Sequence, residues 1–233
     1  KTGANITEMN CIRKHLSKVK GGLLAKTASP ARVVSLILSD VIGDPLDVIA
    51  SGPTAPDPTT FADAISILKN YKIENEIPEQ ILRVLMEGFE KKRQETLKES
   101  DEILLRTNNL IIGTNKLALK TAKEKAELLG YESHIITNNL DGDVVDVVKY
   151  IVDIAKNSKL EKIEKKICLL FGGEPTVQVT GEGLGGRNQH LALLAANLLK
   201  DSPGITILSG GTDGTDGPTD AAGAVVDYIK LGR

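Results

Sequence analysis

Val33-Val34-Ser35-Leu36-Ile37-Leu38-Ser39, closed by Asp40 and the turn residues Gly43-Asp44-Pro45, is the stretch on which the fold turns. It has the length of a strand, is rich in β-branched residues and leucine, and is apolar on both faces. Such a run suits a strand of a parallel sheet covered by helices on both sides. Similar runs at residues 110–112, 133–137, 167–171 and 205–208 read as further strands. Between them lie helical stripes: Phe61, Ala64, Ile65, Leu68; then Ile81, Leu82, Leu85, Met86, Phe89; then Leu119, Ala122, Ala126, Leu129. Two more follow, Val147, Val148, Ile151, Val152 and Leu191, Leu194, Ala195, Leu198. Strands alternating with helices in this way predict an α/β fold of mostly parallel sheets with right-handed crossovers.

The ends of this pattern carry their own signals. The first segment sets Ile6, Met9, Ile12, Leu16 and Val19 on one helical face, with Arg13, Lys14, His15 and Lys18 on the polar side, and stops at Gly21-Gly22. Lys1 already reads as helical and Arg233 follows a strand-like run, so the chain is expected to be a piece of a longer one. Residues 90–102 are almost entirely charged and read as a solvated helix end or interdomain connector. A boundary there gives two domains, residues 1–95 and 103–233. Val177-Gln178-Val179-Thr180 alternates, as an edge or antiparallel strand does.

Composition narrows the function. Of 233 residues, 41% are apolar and 26% charged, and the net charge is -2. A nucleic-acid surface normally shows a basic excess, and only three Phe, four Tyr and no Trp are present for base stacking. No nucleic-acid partner is expected. The longest uncharged apolar run falls short of the ~18–20 residues of a spanning helix, so no membrane partner is expected either. Cys11 and Cys168 stand apart without zinc-type spacing. With no signal peptide visible, a reduced, cytoplasmic location is expected.

The chemistry collects in loops after the strands, where open α/β sheets bind ligands. These are Ser39-Asp40, Gly113-Thr114-Asn115, Gly172-Gly173-Glu174 and residues 209–217. Gly181-Glu182-Gly183-Leu184-Gly185-Gly186-Arg187-Asn188 precedes a helix start, where free amides and the helix dipole favour an anion. Arg187 adds a cation suited to bidentate phosphate binding. Formally the stretch matches G-x-G-x-x-G. Its context does not, since no acid ends the next strand at ribose distance. Asp213, Asp216 and Asp220 sit among glycines and threonines, hard oxygen donors of the kind Mg²⁺ takes. Asp40, mounted at the end of a strand, suits a catalytic carboxylate. His15 reads as part of a solvated helix face, His134 as a strand residue with a satisfied ring and His190 as a helix-surface residue.

Several stretches together resemble type II glycerate kinases. They are Arg13-Lys14-His15-Leu16-Ser17 with Lys20-Gly21-Gly22, residues 39–45, and Ile49-Ala50-Ser51-Gly52-Pro53-Thr54. Gly172-Gly173-Glu174-Pro175-Thr176-Val177, Gly185-Gly186-Arg187-Asn188-Gln189 and residues 210–219 complete the set, the last resembling the C-terminal MOFRL-type region. The resemblance implies two Rossmann-like α/β domains with helices on both sheet faces and a cleft between them. It implies ATP-dependent phosphorylation of D-glycerate, at the 2-hydroxyl in preference to the 3-hydroxyl, with Mg²⁺. It also implies that the family's N-terminal glycine-rich loop and phosphoryl-transfer lysine precede Lys1, and that a C-terminal tail follows Arg233.

Residue roles follow as expectations. Asp40 and Arg187 are catalytic. Arg13, Lys14, Ser39, Ser51, Gly52 and Asn188 bind substrate. Gly172, Gly173, Gly183, Gly185, Gly186, Gly211, Thr212 and Gly214 bind phosphate or nucleotide, and Glu174, Asp213 and Asp216 order the metal. A homodimer stays open. Two other readings stay open as well: an NAD(P)-dependent hydroxypyruvate reductase, and a non-catalytic sugar-acid or nucleotide-binding protein.

Overall fold

The computed structural model describes residues 3–161, 166–200 and 202–227, the last three of the first span by backbone alone. They fall into two units, Lys1–Thr114 and Asn115–Arg233.

In the first unit, α1 (Ile6–Leu16) opens with a capping box. Asn5 Oδ1 accepts from the Glu8 amide and Glu8 Oε2 from the Asn5 amide, both at 2.9 Å. The helix lies the other way round from its apolar stripe. Asn10, Cys11, Lys14 and His15 are buried, while Ile6, Met9, Leu16 and Val19 are exposed. Lys14 and His15 of the polar face go inward because each finds a partner there, while Arg13 and Lys18 stay exposed. After α2 (Leu23–Ala28) and β1 (Val33–Ser39) come α3 (Phe61–Asn70) and α4 (Glu79–Phe89). Phe61, Ala64, Ile65 and Leu68 of α3 pack with Cys11 and Leu85 as the core, as the periodicity predicts. Met86 and Phe89 of α4 are exposed instead. Gly88 permits the close crossing of α4 and α3, since a Cβ there would lie 2.3 Å from the Phe61 ring.

The charged segment 90–102 is no solvated connector. Leu97 is fully buried and Thr96 nearly so. Its backbone stitches two loops together: the Leu97 amide donates to Gly21 O (2.9 Å) and Leu97 O accepts from the Asp57 amide (2.7 Å). The strand that follows, β2 (Thr107–Thr114), was expected to open the second domain. It pairs in parallel with β1 inside the first unit, from Val33↔Thr107 to Ser39↔Thr114.

Among the described residues only one face of this two-stranded sheet is covered. On that face Thr54 Oγ1 accepts from Ser35 Oγ (2.9 Å) and donates to Asn109 Oδ1 (2.6 Å). On the other, Val34, Leu36, Leu38, Leu110 and Ile112 are each at least half exposed. Cover on both faces is therefore not met among the described residues, because the helices of this unit pack on one another, α3 against α1 and α4.

The second unit runs α5 (Asn115–Leu128), β3 (Glu132–Leu140), α6 (Val144–Glu161), β4 (Ile167–Gly173), α7 (Arg187–Leu198), β5 (Ile207–Gly210) and β6 (Gly223–Val226). β3 and β4 pair in parallel and α5 packs on both, while β5 and β6 pair antiparallel. Val144, Val147, Val148, Ile151 and Val152 of α6 meet Leu191, Ala195, Leu199, Ile205 and Ile207 in the core. Gly130 (φ 85°) ends α5 as a left-handed stop. Residues 177–180 form no strand: only Thr176 bridges, to Asp143, and Val179 is 80% exposed. Among the described residues no helix is long and apolar enough to cross a membrane.

Candidate active site

The residues expected to act fall into both units. In the second, the glycine stretch 181–186 leads into α7, whose first residue is Arg187. Its Nη1 donates to Glu174 Oε1 and to Pro175 O, each at 3.1 Å. The guanidinium is partly exposed and so open to an incoming anion. At Gly181, Gly183 and Gly185 an added Cβ would meet nothing within 4 Å. Neither packing nor a left-handed backbone accounts for these three glycines.

Other glycines have internal causes. A Cβ on Gly172 would lie 2.4 Å from Asn115 Oδ1, and one on Gly173 (φ 150°) 2.2 Å from Leu140 O. Both serve the packing of β4 in place of the expected phosphate cradle. Gly186 abuts Asp216 in the same way. In the 209–217 loop the Gly211 amide donates to Ala222 O (2.7 Å) and the Gly214 amide to Gly211 O (3.2 Å). Thr212 is exposed there.

The three carboxylates expected to order a metal are not gathered. Glu174 holds Arg187. Asp213 accepts from the amide and hydroxyl of Thr215, two residues on. Asp216 is 4% exposed and accepts from the amides of Asn188 (2.9 Å) and Gln189 (2.8 Å) and from Asn188 Nδ2 (3.1 Å). Burial pushes its carboxyl up, but these donors outweigh burial and hold it below the ordinary carboxylate range. Among the described residues no three His, Cys, Asp or Glu side chains come close enough to hold a metal. The donor set therefore does not fit a ready-made Mg²⁺ site. Asn188, expected to bind substrate, is engaged within the fold, its Oδ1 accepting from Ser209 Oγ at 2.8 Å.

In the first unit Lys14 is no free cation for a substrate carboxylate. It is 3% exposed, and its Nζ lies 3.2 Å from Asp57 Oδ1 and 3.4 Å from Asp47 Oδ2. Asp57 is 1% exposed, with Oδ2 buried and without a hydrogen-bond partner. Burial raises this carboxyl, and hydrogen bonds from Thr59 together with the Lys14 ammonium more than reverse that. Arg13 is exposed and donates to Asn10 Oδ1 (3.3 Å).

The hydroxyls are also taken. Ser51 Oγ donates to Asn10 Oδ1 (3.3 Å) and Ser39 Oγ to Val41 O (3.3 Å). Ala50, Ser51 and Gly52 take φ of 51°, 60° and 59°, strain of a kind that gathers at functional sites. The Gly21 and Gly22 amides hold this turn through Ser51 O (3.0 Å) and Gly52 O (2.7 Å). Asp40, at the end of β1, is exposed.

Sequence reasoning missed Asp47, Asp57 and Glu95, whose partners lie far along the chain. His15 is buried rather than solvated, its Nε2 2.9 Å from Glu95 Oε1 and its Nδ1 2.7 Å from Cys11 O. A cleft of about 480 Å³ opens beside it, lined in part by Lys18, Lys26 and Arg93.

A strained serine turn in one unit, and an arginine behind bare glycines in the other, suit an enzyme that handles an anionic small molecule. Comparison with known proteins shows what the chain is similar to. Residues 167–233 match the MOFRL family, and residues 1–86 match a domain of unknown function, DUF4147. Over 97% of its length the chain is 45% identical to a D-glycerate 2-kinase of Thermotoga maritima, and over 99% it is 43% identical to a glycerate 2-kinase of Pyrococcus horikoshii. It covers 52% and 53% of those proteins, so the chain spans about half the length of the curated relatives it matches. The crystal structure of the Thermotoga maritima glycerate kinase superposes with a TM-score of 0.82, over 97% of this chain and 52% of that one. Nearly the whole chain thus resembles glycerate 2-kinases, and residues 167–233 resemble the MOFRL family.

Proposed function

We propose that this protein acts in ATP-dependent phosphorylation of D-glycerate at the 2-hydroxyl. The observation that carries the reading is Arg187, a partly exposed guanidinium at the end of a stretch in which neither packing nor backbone strain explains Gly181, Gly183 and Gly185. The relatives support it through their names, D-glycerate 2-kinase and glycerate 2-kinase. The 2-oxygen of glycerate attacks the γ-phosphorus, the bond from that phosphorus to the ADP oxygen breaks, and the hydroxyl proton passes to the Asp40 carboxylate. Arg187 exchanges Glu174 for the migrating group and neutralises its charge, a contribution of about 10³-fold or more where one arginine does this. The free cysteines, Cys11 buried and Cys168 half-buried, support a reduced compartment such as the cytoplasm.

The test is a coupled ADP-release assay with D-glycerate, the product resolved by phosphorus NMR; 2-phosphoglycerate is expected. Oxidation of NADH with hydroxypyruvate, and no ADP release, would select a reductase instead. Arg187→Ala is expected to lower turnover at least about a hundredfold with the fold intact by circular dichroism. Near-normal turnover would remove it from the chemistry. Asp40→Asn is expected to lower kcat more than it raises KM for glycerate.

A further inference from the structure

The surroundings of Asp216 show a task other than metal binding. Each helix leaves its first four amides without an intrahelical partner. In α7 the N-cap position is Gly186, which has no side chain to offer. Asp216 supplies the cap from the loop between β5 and β6, with Oδ1 on the Asn188 amide (2.9 Å) and Oδ2 on the Gln189 amide (2.8 Å). The turn behind it is locked as well. Gln189 Nε2 donates to Thr219 Oγ1 (2.9 Å) and Asp216 O (3.4 Å), and Thr219 Oγ1 donates to Asp216 O (2.8 Å).

The two loops meet at backbone distance. A Cβ on Gly186 would lie 2.3 Å from Asp216 Cγ, and one on Gly217 2.3 Å from Gly185 O. Arg187 immediately precedes the two capped amides, so its Cα has little freedom to move. Its side chain leaves toward Glu174 Oε1 and Pro175 O.

We infer that Asp216 is a positioning residue for Arg187. It fixes the first turn of α7 through the backbone, while Glu174 and Pro175 O aim the guanidinium. Because a carboxylate already occupies the capped amides, an incoming phosphate is left to the guanidinium and the open glycines before it. The inference deepens the phosphoryl-transfer reading and rests on it for the role of Arg187.

The experiment compares Asp216→Asn, Arg187→Ala and the double variant in the full chain, following ADP release while Mg²⁺ is titrated. Asp216→Asn is expected to lower kcat on the order of tenfold to a hundredfold, as a misplaced group does, with KM for glycerate and half-saturating Mg²⁺ unchanged. The double variant is expected to be no slower than Arg187→Ala. Independent, multiplied losses or a raised Mg²⁺ requirement would overturn the inference, and so would an unchanged kcat in Asp216→Asn.

Amide hydrogen exchange separates this outcome from failure of the functional reading. Exchange at Asn188 and Gln189 is expected to accelerate in Asp216→Asn, and unchanged protection overturns the positioning role whatever the turnover. If Arg187→Ala turns over normally while those amides lose protection in Asp216→Asn, the role of Arg187 in phosphoryl transfer is what falls. Should Asp216→Asn fail to fold, Gln189→Met, which removes only the side chain holding the 216–219 turn, is expected to accelerate the same amides, and no acceleration overturns the inference.

Discussion

Among the described residues each unit buries one carboxylate, and the two are stabilised by different means. Asp57 faces a full opposite charge, Lys14, brought from α1, 43 residues away in the chain. Asp216 faces partial charges, the open amides of α7. Both are held below the ordinary carboxylate range against the effect of burial. An ion pair of the first kind is sensitive to loss of either member, because the survivor is left charged in a dry place. A carboxylate on helix amides is more forgiving, since water can reach a half-buried helix end once the cap is gone. The first arrangement therefore serves to tie the fold together, and the second to set the geometry of a neighbouring residue.

The contrast can be broken by measurement. Lys14→Met leaves Asp57 uncompensated and is expected to destabilise the first unit by about 3–5 kcal/mol in urea unfolding; a loss under about 1 kcal/mol would remove the distinction. Asp216→Ala is expected to cost less, about 1.5–3 kcal/mol, the range for hydrogen bonds to a charged group.

Acid should act on both. Since each folded pKa lies below its unfolded value, the stabilisation is complete above that value, near 4, and is lost as pH falls through the folded one. Unfolding followed from pH 6 to pH 2 should show the decline beginning near pH 4, with a shallower slope in Asp57→Asn. The smallest effect belongs to Gly183→Ala, where the added methyl meets open space. A stability change within about 0.5 kcal/mol is expected, and any loss of turnover would then report the ligand's approach.

How much of this was legible in the sequence depended on where the apolar residues sat. The α3 and α6 faces were readable because their apolar stripes are the buried ones. In α1 the rule inverted: Lys14 and His15 go inward because Asp57 and Glu95 wait there, and nothing local announces a partner 43 or 80 residues away. Residues 90–102 misled in the same way. Two buried residues, Thr96 and Leu97, set the segment's path while its charged neighbours set its composition. The alternation at residues 177–180 had no strand beside it to pair with, and period alone does not make a ladder.

At the candidate site the neighbourhood was readable and the roles were not. The glycine stretch and Arg187 stood out, but an aspartate in a glycine-rich loop looks the same whether it faces a cation or a row of amides. Only the 2.8 and 2.9 Å contacts to Gln189 and Asn188 decide between them.

The open side of the β1–β2 sheet bears on how the chain behaves in a test tube. Val34, Leu36 and Leu38 on one strand, with Leu110 and Ile112 on the next, form a greasy strip over parallel backbone. Strips of this kind attract fluorescent dyes such as anilinonaphthalene sulfonate and promote precipitation at high concentration. A lysine at position 36 would stand in water, leave the cap and ion pair untouched, dim the dye and keep more of the chain in solution.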